Sequence, residues 1–406
     1  MSTITSINND TSFSYRGKTF PIPNGYSLDN VVKSISNKEP AFHFKNSSDH
    51  IESHGYINRH KIFDNIKSTK SVYVIQFNLG LISSNIVNED FNFTIPEYVV
   101  NDKNIKIVIE SLWCDILPSL DSSQANDELY YKIIFNTIYK YKLQKDKICI
   151  IGPYSNVSDI DGIEYINLSL FFYAPIVEVD FNKRISEIES ITKKQYKILC
   201  LNRKPRRHRL KLFEYVYNNN LLQDNYHTFA VDKKEVKKFT SESYSFLDKL
   251  PYNTDFFIVP TFAEWQSSQI NRPTNKSYVD FVTETRFQED VVIHTEKISI
   301  PIRNLQPFVY VGTPGSLNEL QKQGYKTFDK WWSEEYDNIV DNEKRLQVIC
   351  ELYKEMSQWS HKEWSNIVYE MKNTLIHNYN LFKENNTHKH IHKDINNYVE
   401  KINLDK

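Results

Sequence analysis

Glycine is scarce in this sequence, with 9 residues among 406, and proline is little commoner at 14; collagen-like and low-complexity classes, which need them densely, are excluded. Cysteine is sparser still. The four, Cys114, Cys149, Cys200 and Cys350, are far apart and form no CxxC pair, so neither a disulfide framework nor a zinc ribbon is encoded, and buried free thiols are expected. Net charge is also missing: 50 Lys and Arg stand against 51 Asp and Glu. A bulk polyanion binder is therefore excluded, and any functional charge has to be local. No stretch reaches the roughly 18 apolar residues of a membrane span, and the start MSTITSINNDTSF lacks the basic and apolar regions of a signal peptide. These absences lead to the expectation of a soluble, cytoplasmic protein (host cytoplasm if the gene is viral) with no membrane span. No repeat with a period of 20 to 50 residues is evident, which argues against a solenoid.

What is plentiful is bulk. Hydrophobic residues make up 40% of the chain and aromatics 14%, with 26 Tyr and 24 Phe, enough for two or three packed domains. Residues 1–70 are polar and read as an N-terminal elaboration, with a hairpin expected over Tyr15–Leu28 around Pro23-Asn24-Gly25. From Ser71 short β-branched runs appear, SVYVIQFNLG, NIKIVIESLWCD and KICIIGPYSNV, with the helix-periodic ELYYKIIFNTIYKYKLQ before the last. The polar, helix-spaced segment Asn182–Gln195 marks a boundary near 190. After it YKILCLN, TDFFIVPTF and QPFVYVG predict strands, and LKLFEYVYNNNLL, NELQKQGY and KRLQVICELYKEMSQWS predict helices. Such alternation predicts an α/β protein: two Rossmann-like domains facing a cleft, over 71–190 and 191–380, followed by a helical C-terminal tail over 381–406.

Three constellations can carry chemistry. Asn202-Arg203-Lys204-Pro205-Arg206-Arg207-His208-Arg209 places five cations after a strand and ahead of a helix. Open α/β sheets bind ligands there, and arginine's planar fork suits phosphate oxygens. A solvated basic loop and a nucleic-acid patch are the competing readings. Next come Phe281-Val282-Thr283-Glu284-Thr285-Arg286 and His294-Thr295-Glu296-Lys297-Ile298-Ser299-Ile300-Pro301, where acids could accept from sugar hydroxyls while Lys297 neutralises phosphate; an ordinary solvated Glu-Lys face is the bland alternative. In Gly312-Thr313-Pro314-Gly315-Ser316 a strand turns into a helix expected to be capped by Ser316, where backbone amides could approach a ligand, or the turn could be purely structural. Asp159-Ile160-Asp161 has the letters of a metal-binding Asp-x-Asp but lies in a polar turn, and His388–Lys393 reads as a surface tail, so no metal site is expected.

In succession, Asn-Arg-Lys-Pro-Arg-x-His-Arg, Val-Thr-Glu-Thr, Thr-Glu-Lys-x-x-x-Pro-Ile, Pro-Phe-x-x-Val-Gly-x-Pro-Gly-Ser-Leu and Gly-Tyr-Lys-Thr-Phe-Asp-Lys-Trp resemble the C-terminal half of a group of virus- and bacterium-encoded glycosyltransferases. More remotely they are similar to the donor-binding domain of α1,3-fucosyltransferases, whose signature contains Tyr-Val-Thr-Glu-Lys. The likeness covers about Tyr196 to Tyr379. It implies a GT-B architecture in which the C-terminal lobe holds a nucleotide-sugar and the N-terminal lobe an acceptor, either a glycan or a hydroxymethylated DNA base. Arg203 would sit by the donor phosphates, Glu296 and Lys297 by the ribose or sugar and the diphosphate, and Glu284 and Arg286 nearby. Lys204, Arg206, Thr295, Gly312 and Gly315 complete the candidate donor set. Thr-Glu-Lys is followed here by Ile-Ser-Ile-Pro, unlike the fucosyltransferase pattern, so the donor sugar is not specified. An inverting hexosyl- or pentosyltransferase would also need a base from the N-terminal lobe, for which Glu110 and Asp115, at a strand end, are the candidates. No cofactor is implied beyond the nucleotide-sugar co-substrate, and no motif requires a divalent metal. The alternative is a non-enzymatic nucleic-acid-binding protein using the 203–209 cluster.

Overall fold

Strand-forming runs and helix-periodic runs alternate along the chain, and each kind buries its apolar face against the other. The computed structural model describes residues 6–8, 12–15, 18–21, 72–76, 95, 97–103, 105–110, 134–152, 154–160, 162–167, 180–190, 193–253, 273–288 and 291–385. They form an α/β protein with two sheets flanked by helices, preceded by a short antiparallel meander of β1 (Ser6–Asn8), β2 (Ser12–Tyr15) and β3 (Lys18–Pro21). Tyr15 pairs with Lys18, a reversal at the start of the segment in which the hairpin was expected, while Pro23-Asn24-Gly25 lies outside the described residues.

The first sheet contains β4 (Val72–Gln76), β5 (Lys106–Glu110), β6 (Ile148–Gly152), β7 (Asp159–Ile160) and β8 (Ile163–Asn167), in the order β4-β5-β6-β8-β7. All are parallel except β7, which pairs antiparallel with β8. The Asp159 carboxylate accepts from the Gly162 amide at 3.1 Å, so this aspartate closes a hairpin, as a polar turn should. The first core is mainly isoleucine. Ile107, Ile109, Ile148 and Ile150 alternate onto one face, against Val99 of α1 (Glu97–Asn101) and Ile134 of the helical residues 134–141.

The second sheet contains β9 (Tyr196–Asn202), β10 (Tyr226–Phe229), β11 (Ser277–Thr283) and β12 (Phe308–Val311), all parallel, in the order β10-β9-β11-β12. Every residue of β11 is buried, as a strand covered on both faces requires. Its helices are α2 (Phe181–Glu189), α3 (Arg207–Asn218), α4 (Lys233–Phe239), α5 (Glu296–Arg303), α6 (Ser316–Lys322), α7 (Asn342–Gln358), α8 (His361–Glu370) and α9 (Lys372–Asn385). The sequence did not suggest β10 or α4, both short; the expected strand over 254–262 lies outside the described residues.

The segment expected to separate the two domains belongs to the second by its packing. Phe181, Ile185 and Ile188 form a short stripe on α2 facing the second core, Arg184 donates to the Asn304 carbonyl at 3.0 Å, and Phe181 lies 4.9 Å from Tyr379 between ring centroids. Apart from Arg184, which is buried with the stripe, its charged and polar residues are exposed or half-buried, which is why composition alone suggested a linker. Helix α9 likewise continues past 380, with Phe382 buried; residues 386–406, including His388–Lys393, lie outside the described set. Cys149, Cys200 and Cys350 are buried free thiols, and burial pushes Cys200 and Cys350 up to about 12. Among the described residues no helix is long and apolar enough to cross a membrane.

Candidate functional site

In the second sheet the connection leaving β9 runs to β10 on one side and the connection leaving β11 runs to β12 on the other, so the two diverge at the carboxyl ends of β9 and β11. A parallel sheet opens a crevice at such a reversal. Its floor is polar and tied together. The Thr283 hydroxyl donates to the Asn202 side-chain oxygen at 2.7 Å, and the Asn202 amide donates to the Thr228 hydroxyl at 3.0 Å, joining the ends of β11, β9 and β10.

The basic cluster divides into distinct roles. Arg209, buried on α3, donates through Nη2 to the carbonyls of Thr283 and Glu284, each at 2.8 Å. His208 stacks on Phe287 at 4.9 Å and its Nε2 lies 3.0 Å from the Glu284 carbonyl. A carbonyl only accepts, so Nε2 carries the proton; burial, followed by the Arg209 charge, holds the imidazole well below its usual range, and it is neutral. These two residues clamp the end of β11. Arg207 pairs with Glu242 at 3.0 Å and with Glu343, which also binds Lys211 at 2.7 Å. Arg206 is buried with its guanidinium 6.0 Å from the Phe239 ring centroid. Arg203 and Lys204 are exposed. The Lys204 ammonium is lowered by desolvation and then by Arg206, Arg203, Arg209 and Lys297. Lys297 on α5 thus lies within electrostatic reach of the β9–α3 loop, with its ammonium also 3.7 Å from the Glu284 carboxylate.

Across the crevice Glu284 is 2% exposed and organises the start of α5. One carboxylate oxygen accepts from the Thr295 amide at 3.2 Å; the other accepts from the Thr295 hydroxyl at 2.7 Å and the Thr285 amide at 3.2 Å. Thr295 caps α5 by accepting from the Lys297 amide at 3.3 Å. The Lys297 ammonium donates to the Thr295 hydroxyl at 2.9 Å and the Thr285 hydroxyl at 3.2 Å, and lies 3.7 Å from Glu284. Burial and the Glu284 charge push the Tyr310 phenol well above its usual range, so it stays protonated. Arg286 is buried with its guanidinium 5.8 Å from the Tyr154 ring centroid.

Gly312 and Gly315 are placed differently from the expectation. Gly315, at φ 79, is itself the N-cap of α6, and the Ser316 hydroxyl instead donates to the Thr313 carbonyl at 2.6 Å. The Gly315 amide donates to the Asp337 carbonyl at 2.7 Å, and the amides of Leu317 and Asn318 donate to the Asp337 carboxylate at 3.0 and 3.3 Å. An internal carboxylate thus takes the helix-end amides that a ligand would have used. A Cβ at Gly312 would lie 2.4 Å from a Tyr310 ring carbon, so this glycine makes room for the ring.

The structure joins Glu284, Thr295 and Lys297 in one bonded corner after β11, and places Arg203, Lys204 and Arg206 on the loop after β9. Glu296 opens α5, but its side chain lies outside the described residues. Glu110 ends β5 opposite Gln76 and Ile151, on the other sheet; its side chain and all of Asp115 are outside the described set. Sequence reading missed the roles of Thr285, Tyr310 and Asp337. Thr285 was detectable as a hydroxyl flanking Glu284, whereas Asp337 becomes relevant only through folding. Among the described residues no three His, Cys, Asp or Glu side chains are grouped to hold a metal ion. No protein-family model matches the chain, and no curated protein matches it by sequence.

Proposed function

We propose that this protein is a glycosyltransferase that moves a sugar from a nucleotide-sugar to a hydroxyl acceptor, its two α/β units acting as the facing halves of a GT-B-like enzyme. The observation that carries this reading is the placing of the exposed Arg203 and Lys204 directly after β9, and of Lys297 at the start of the helix that follows β11, at the carboxyl ends of two adjacent parallel strands. A nucleotide-sugar presents a diphosphate, and breaking its glycosidic bond develops further charge on that diphosphate. Fixed cations stabilise this charge more than that of the bound substrate, which lowers the barrier. Lys297, braced by Thr285 and Thr295, is the most fixed of them; Arg203 and Lys204 close on the anion from the opposite loop. Glu284 orients Lys297 and Thr295. The acceptor hydroxyl, on a glycan or a hydroxymethylated DNA base, would come from the side of the first sheet, where Glu110 and Asp115 are the candidate bases.

The test is titration of the protein with UDP-, GDP-, CMP- and dTDP-sugars, followed by calorimetry and a sugar-transfer assay. One donor class is expected to bind. Lys204→Ala combined with Lys297→Ala should weaken that binding at least about 100-fold, since each removes a charge-assisted contact of roughly 1.5–3 kcal/mol. Binding of DNA or RNA with a steep salt dependence and of no nucleotide-sugar would move the assignment to the nucleic-acid reading, which the exposure of Arg203 and Lys204 also supports.

A further inference from the structure

The segment Val292–Thr295 is pinned alternately to the two sheets. Its first residues are held by the loop after β6: the Ser155 amide donates to the Val292 carbonyl at 2.8 Å, the Val292 amide donates to the Asn156 side-chain oxygen at 2.8 Å, and Ile293 forms an antiparallel bridge with Tyr154. The Ile293 side chain enters the first core beside Tyr154, which is fully buried and stacked on Tyr165 at 5.7 Å. The remaining anchors come from the second sheet. The Tyr310 hydroxyl donates to the Ile293 carbonyl at 3.0 Å, and Glu284 receives both the amide and the hydroxyl of Thr295. His294 spans both sides. Its Nε2 lies 2.9 Å from the Ser316 carbonyl and so carries the proton, leaving Nδ1 to accept from the Ser155 hydroxyl at 3.4 Å. This tautomer needs a neutral ring, and burial lowers His294 to about 4.

Immediately after this segment come Thr295, the cap of α5, and Lys297. A strand-like stretch pinned at successive residues has no slack, so a displacement at Val292 is transmitted to Thr295 two peptide planes beyond Ile293. We infer that Asn156, on the first sheet's loop, is a positioning residue for the crevice of the second sheet, setting the Thr295–Lys297 corner through Val292 and His294. The first unit therefore supplies more than an acceptor surface, because its β6 loop fixes one wall of the anion site. The inference deepens the proposed function, resting on it only for the identity of the anion.

The experiment combines amide hydrogen exchange by NMR with calorimetric titration of pyrophosphate, on the full chain with Asn156→Ala, the milder Asn156→Ser and Asn156→Asp. Asp keeps an oxygen acceptor for the Val292 amide and serves as the rescue. Asn156→Ala is expected to speed exchange about 10-fold or more at Val292, Thr295 and Lys297, and to weaken pyrophosphate binding 5- to 20-fold. Exchange in β9 and β11 should be unchanged, and Asn156→Asp should restore exchange at all three amides. Faster exchange at Val292 alone, with Thr295, Lys297 and pyrophosphate affinity as in the parent, would overturn the positioning role. If Asn156→Ala fails to fold, the same comparison is read from Asn156→Ser. Absence of pyrophosphate binding by the parent protein would count against the proposed function, whereas the exchange pattern would still decide the coupling.

Discussion

The two sheets are built from similar runs of residues but differ in strand order and in what fills their cores. In the first, β4, β5, β6 and β8 follow one another across the sheet in chain order, so successive crossovers of one hand carry their helices to the same face. In the second, the order β10-β9-β11-β12 reverses at β9; helices then cover both faces and the carboxyl ends of β9 and β11 part. The cores differ in the same sense. Isoleucine dominates the first, whereas Phe213 in the second lies within 5.7 Å of four aromatic rings, those of His227, Phe229, Phe246 and Tyr252. Both sheets are buried on both faces at their centres, as all of β6 and all of β11 show, so what the reversal adds is the parting of the strand ends, which stay open for a ligand. The candidate site is where the packing stops.

Phe213→Ala is the severest test of that difference. Phe213 is fully buried, and its loss should cost about 3–5 kcal/mol, measured by chemical denaturation. A cost under about 1 kcal/mol would show that the aromatic cluster is not what distinguishes the second core.

Close behind comes a pH effect confined to the second unit. Burial pushes Glu334 up to about 7 from an ordinary 4.5, reinforced by Asp329 and Asp337 and opposed by the Phe328 amide and Thr327 hydroxyl. The folded state then holds this proton more tightly than the unfolded state. Its contribution is fully present below pH 4.5 and is lost as pH rises to about 7, a change of about 3 kcal/mol. Glu334→Gln, which keeps an oxygen to accept from Phe328, should flatten stability over that window; an unchanged slope would place the titration elsewhere.

The smallest effect belongs to the first core. Ile150→Val removes one methylene from a fully buried β6 residue and should cost about 0.5–1.5 kcal/mol. Two separate denaturation transitions, with this variant shifting only one, would show that the sheets unfold independently despite the Val292–Thr295 connection.

Much of the fold was legible in sequence because the signals were local. Ile198–Leu201 and Phe308–Val311 are unbroken apolar runs, and Asn342–Gln358 repeats its apolar residues at helical spacing, so β9, β12 and α7 fall where expected. Helix α2 was misplaced because its apolar stripe has only three members, and whether so short a stripe docks depends on the surface offered to it. The basic cluster shows the same limit at the site. Letters alone could not tell Arg203 and Lys204, left exposed, from Arg207, occupied by Glu242 and Glu343, or from Arg209, turned inward to two carbonyls.

The sequence by itself determined the α/β alternation, the lack of membrane-spanning runs and the placing of Asn202–Arg209 after a strand and before a helix. These follow from periodicity and punctuation within a few neighbouring residues. Tertiary structure alone decided the strand order that opens the crevice, the filling of the α6 terminus by Asp337 from 20 residues away, and the pinning of Val292–Thr295 by a loop of the other sheet. Each is a contact between chain segments whose pairing is selected by which buried polar groups can satisfy one another once the cores have closed.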